Sequence, residues 1–187
     1  MINRRQFPLH ASAPAFAAAW VLIIAGASVA LSTVFACITP FVALATVSVI
    51  MLPRRMALFA VLLAWLANQM VGYFILGYPR NWDSYAWGIA IGFAALVAFL
   101  AATLVTRAKL NAFLAWVAAF AAALVAYEGI LFAATAFLPS GDGAFSLSII
   151  AKVVLINLVA AAGLVCLNGI AAIARILVVR PALHLAR

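Results

Sequence analysis

The chain has 187 residues, 71% of them hydrophobic and 7% charged, with a mean hydropathy of +1.30. Soluble domains carry about 25% charged residues, and a domain this small cannot bury so much apolar surface. A soluble fold is excluded, and the class is an all-α integral membrane protein in one domain, residues 1–187. The formal charge of +8 would point to nucleic acid in a soluble protein. Here the basic residues punctuate apolar runs, which assigns them to orienting the chain in a lipid bilayer and leaves no nucleic-acid partner.

A spanning helix takes about 20 mostly apolar residues, and six candidate spans follow in chain order. The first covers 14–35. The "MINRR" before it also fits the basic start of a signal peptide, but removing the segment would invert the charge pattern or force five spans. The second, 38–52, is short and ends at Pro53, Arg54 and Arg55; a tilt, partial re-entry or an extension at one end would each reconcile it. The third covers 56–76. The connection "GYPRNWDSYAWG" (Gly77–Gly88) leads into the fourth, 85–106, which is closed by Arg107 and Lys109. The fifth covers 111–138 and ends in the turn "PSGDG". The sixth, 145–179, is too long for one straight span, so its last turns are expected to leave the membrane as a basic tail.

Charge fixes the expected orientation. With six spans, one side carries Arg4, Arg5, Arg54, Arg55, Arg107, Lys109, Arg175, Arg180 and Arg187, and the other only Arg80, with Asp83 and Asp142. That bias predicts a six-transmembrane-helix bundle with both termini cytoplasmic, in a bacterial inner (plasma) membrane.

Polar groups within spans are costly and therefore informative. Asn68 and Gln69 lie on the third span, Tyr127 and Glu128 on the fifth, Lys152 and Asn157 on the sixth. At 1.5 Å per residue they fall in one layer, roughly 10 to 18 Å below the outer surface, under the Gly77–Gly88 connection. The layer predicts an outward-facing pocket in which Asn68, Gln69, Tyr127, Glu128, Lys152 and Asn157 meet a ligand. Tyr73, Tyr78, Arg80, Asn81, Trp82, Asp83, Tyr85 and Trp87 would form its wall or lid. The same residues also fit a structural Glu128–Lys152 pair with Lys152 snorkelling, interhelical bonding by Asn157, and an aromatic belt. Cys37, at the outer end of the first span, is a candidate ligand for a soft metal or a small apolar filler. Ala11, Ala15 and Ala19 recur at steps of four, which makes a docking ridge for a partner helix or reflects the abundance of alanine. P-loop, GxGxxG, HExxH and GxSxG motifs do not occur, so neither a resident cofactor nor an enzymatic activity is expected.

The six-span layout, the outer polar layer, "CITPFVAL" after the first span and the Ala11, Ala15, Ala19 ridge together resemble the substrate-binding S components of energy-coupling-factor vitamin transporters. The resemblance is one of layout over the whole chain. It implies a non-enzymatic protein that binds a small micronutrient, a vitamin or a metal-containing cofactor, on the outer side. It also implies that the alanine ridge docks a transmembrane coupling subunit associated with ATPases. With Cys37 as a metal ligand, a cobalt-containing molecule such as cobalamin enters the range. Two other readings fit the residues: a structural or assembly subunit of a larger membrane complex, and a membrane enzyme using Glu128 as acid or base.

Overall fold

The computed structural model describes residues 18–23, 25–26, 39–139, 141, 143 and 145–179, with side chains up to residue 170. Every regular element among them is a helix. These are α1 (helical at 18–23 and 25–26), α2 (Phe41–Met51), α3 (Arg54–Phe74), α4 (Trp82–Val105), α5 (Ala112–Ala134) and α6 (Leu147–Val179). Four of them, α3 to α6, are long and apolar enough to cross a membrane, and the chain is read as a multi-pass membrane protein.

The short second segment proves to be the centre of the bundle. α2 has 11 residues, about 16 Å of helix, roughly half the thickness of a bilayer core. It therefore does not span by itself. Ten of its 11 residues are buried, and α3, α4, α5 and α6 all pack against it. Such a half-length helix is tolerated at membrane depth because protein, not lipid, surrounds its ends.

Prolines set both limits of α2. Pro40 is the N-cap and offers no capping side chain. At the other end Leu52 is extended (φ −110°, ψ 154°), as expected before a proline, and Pro53 then starts α3. The chain reverses within these two residues, so α3 runs back along α2. The Asn68 side-chain amide accordingly donates to the Thr39 hydroxyl at 2.8 Å, across the start of α2.

Two asparagines start the next helices. Asn81 Oδ1 accepts from Ser84 N at 2.9 Å and Asn111 Oδ1 from Leu114 N at 2.8 Å, each satisfying an amide that the first helical turn leaves open. The Asn81 cap begins α4 three residues before the expected boundary, so Trp82 and Asp83 belong to a helix rather than to a loose loop. Gly77, at φ +70°, takes the left-handed conformation that a side chain disfavours, and it turns the chain out of α3.

Packing is by small residues. α5 buries Ala115, Ala119 and Ala123 at steps of four; α4 buries Ala94, Ala95, Ala98 and Ala102; and α4 and α5 form the most extensive helix pair. α3 turns Leu58, Phe59, Leu62, Leu66 and Met70 outward and keeps Ala57, Ala60 and Ala64 inside. Large outside and small inside is the pattern for helices packed in lipid, where backbones approach across alanine and glycine. The bundle has a basic end, with Arg54, Arg55, Arg107 and Lys109 exposed, and a loop end formed by residues 75–81 and the connection from α5 to α6.

Candidate functional site

A cavity of about 180 Å³ lies at the loop end. Thr39 and Phe41 at the start of α2 line it, with Asn68, Gln69 and Tyr73 from α3 and Tyr78 from the connection. Ser84, Trp87, Gly88 and Ile91 come from α4, and Tyr127 from α5. Four helices thus converge where α2 begins.

The start of α2 is held by a neighbouring helix. Because Pro40 cannot cap it, the Ala43 amide donates to Asn157 Oδ1 on α6 at 2.9 Å, and Asn157 Nδ2 donates to Val153 O in its own helix at 2.9 Å. Asn157 is 0% exposed. It fixes the wall of the cavity without lining it.

Two glycines on α4 let α3 approach. Trp65 lies on Gly92, where an added Cβ would meet the indole at 2.7 Å, and its Nε1 donates to Gly88 O at 2.8 Å. One turn on, the Gln69 Oε1 lies 2.7 Å from the position of a Cβ on Gly88. The Gly88-x-x-x-Gly92 pair therefore makes the groove that seats Trp65 and Gln69, a known close-packing device in membranes.

The aromatic wall is cross-linked. The Tyr73 hydroxyl is 3.2 Å from Ser84 Oγ, and its ring meets Tyr78 edge-on (5.9 Å, 79°) and Tyr85 at 5.0 Å. Tyr78 covers Gly72, leaving no room for a side chain there. Trp87 Nε1 donates to Pro139 O at 2.8 Å, which ties the connection from α5 to α6 to the cavity's wall. The Tyr127 ring lies 6.2 Å from that of Phe41.

Of the residues predicted from sequence, Asn68, Gln69, Tyr73, Tyr78, Trp87 and Tyr127 meet at the cavity. The others do not line it. Arg80 rests over the Phe74 ring at 5.8 Å, Asn81 caps α4, Trp82 is 66% exposed, and Asp83 occupies the first turn of α4. Glu128 is half-buried one position past Tyr127, and Lys152 is exposed on α6. Neither forms an ion pair among the described residues, and α5 and α6 are not among the closely packed helix pairs, so the expected Glu128–Lys152 contact is corrected. Ala11, Ala15 and Cys37 lie outside the described residues; Ala19 is exposed on α1. Cys166 is exposed too.

Thr39, Phe41, Ser84, Gly88 and Ile91 were missed. The Gly88–Gly92 spacing was a usable signal. For Thr39 and Phe41 the signal was the short second segment, which has to stop inside the protein. Comparison with protein-family models, with curated proteins and with solved structures finds no match.

Proposed function

We propose that this chain is a membrane-embedded binding protein for uptake of a small micronutrient, with the cavity at the loop end as its binding site. The cavity carries the reading: a few fixed polar groups inside an aromatic wall is the usual make-up of a small-molecule site. Orientation follows from charge. Arg54, Arg55, Arg107 and Lys109 gather at the basic end, against Arg80 and Asp83 at the other, so the basic end is cytoplasmic by the positive-inside rule and the cavity opens outward. Both termini are then cytoplasmic, α1 and α2 complete six membrane segments, and the membrane is a bacterial plasma membrane. The layout still resembles a transporter S component, with transport relying on a coupling subunit and ATPases. Size narrows the range: about 180 Å³ is close to a cavity known to hold one benzene ring, about 150 Å³, and a corrin-sized cobalt cofactor does not fit it.

One observation favours a membrane partner as well. Ionisable groups at membrane depth normally pair, and Glu128 and Lys152 are unpaired among the described residues, leaving both to meet a neighbouring subunit. Gentle purification from cells grown in rich medium, followed by native mass spectrometry, tests both readings. A stoichiometric small molecule, lost in Trp87→Ala with the fold retained, is the expected result. An empty protein that co-purifies with larger membrane subunits would support the structural-subunit reading instead.

A further inference from the structure

Resting on that reading, we infer that the ligand is an uncharged, planar ring of about single-ring size. Its hydrogen-bonding edge is held by the Gln69 carboxamide and the Tyr127 hydroxyl. Three observations carry this.

The first is electrical. Among the described residues, no charged side chain lines the cavity. A charged ligand seated there would lose its hydration with no opposite charge to replace it, and burying an unpaired charge is among the most costly steps available to a binding site. A neutral ligand escapes that cost.

The second is shape. Phe41, Tyr73, Tyr78, Trp87 and Tyr127 surround the space, and Tyr73, Tyr78 and Trp87 are locked by the contacts described above. Preset aromatic faces favour a flat guest, since ring stacking and edge contacts add to its burial. The volume of about 180 Å³ leaves room for one ring and a short substituent.

The third is unspent hydrogen-bonding capacity. The Tyr127 side chain is only 6% exposed, yet its hydroxyl has no hydrogen-bond partner among the described residues. The Gln69 carboxamide likewise makes no hydrogen bond there, although Gly88 is shaped around it. A carboxamide offers a donor and an acceptor side by side, which matches the donor–acceptor edge of an amide or a lactam-type heterocycle. Both side chains line the cavity, Gln69 half-buried, and a ligand with that edge would give both a partner at once.

The test uses near-isosteric probes that differ in charge or planarity. Full-length protein in detergent is titrated calorimetrically with benzamide, benzoate, benzamidine and cyclohexanecarboxamide. Benzamide is expected to bind at least about tenfold tighter than each of the others. Gln69→Ala should weaken benzamide about tenfold, Tyr127→Phe should weaken it a few-fold, and Gln69→Glu should shift preference to benzamidine. Equal or tighter binding of benzoate or benzamidine by the natural chain overturns the charge argument; equal binding of cyclohexanecarboxamide overturns planarity. If native mass spectrometry finds a bound molecule that is charged or non-planar, this inference fails while the uptake reading stands. If no molecule is retained and no probe binds, both fail.

Discussion

The two ends of the bundle are built from the same alanine-rich helices and do opposite things. Toward the basic end, Ala57 and Ala60 of α3, Ala98 and Ala102 of α4, and Ala115 and Ala119 of α5 are all essentially inaccessible, and the backbones close on one another. Toward the loop end the same helices switch to Asn68, Gln69, Tyr73, Trp87 and Tyr127, and a cavity opens. Small apolar residues let helices touch; aromatic and amide side chains hold them apart and need partners. The switch falls where α2 begins, so one short helix divides a packed half from a hollow one.

Breaking the packed half should have the largest effect. Ala119→Leu adds a branched side chain where nothing can yield, and overpacking of this kind costs about 1–3 kcal/mol. A clear drop in melting temperature in detergent is expected, with ligand affinity falling only as folded protein is lost; an unchanged melting temperature would show that the basic end is not closely packed. Asn157→Leu strikes the boundary between the halves. It removes the acceptor for the Ala43 amide, and an unpaired buried donor costs about 1–3 kcal/mol. Stability and ligand binding should both fall, because Thr39 and Phe41 sit on the segment it anchors; loss of stability with affinity intact would detach α2 from the site.

Gly88→Ala sharpens the contrast from the hollow side. The added methyl displaces the end of the Gln69 side chain, a flexible group that can give way, so the melting temperature should change little. Ligand affinity, read by calorimetry, should fall about tenfold, the equivalent of about 1.4 kcal/mol. The smallest effect is expected for Arg80→Ala. Its guanidinium lies over an exposed Phe74 at the rim, and a contact of that kind contributes about 0.5–1 kcal/mol. Affinity within twofold of the natural chain is expected. A large loss would return Arg80 to the ligand and undo the uncharged site.

How far the sequence could be read depended on the kind of signal. Pro53 and Asn111 act within a few residues of themselves, so the helix limits they impose were open to reading, whereas the starts set by Pro40 and Asn81 were placed at 38 and 85 instead of at Phe41 and Trp82. Depth counting correctly brought Asn68 and Tyr127 to one level, because rise per residue is fixed. It failed for Glu128 and Lys152 because equal depth says nothing about azimuth: Lys152 turns outward and Glu128 stands on the shoulder of α5. It failed for Asn157 in a more instructive way, since that side chain is at the right level but is consumed in capping α2.

Composition and charge alone determined that this is a helical membrane protein, where most of its helices lie and which end is basic. Those properties are sums over local sequence. Which helix is enclosed was decided only by the tertiary structure: α2, α4 and α5 are all apolar around their circumference, and in lipid the surroundings are as apolar as the core, so hydrophobicity does not tell inside from outside. The cavity, the Asn157 cap and the Gly88–Gln69 fit depend on pairings between helices distant in sequence, and only the packed bundle makes them.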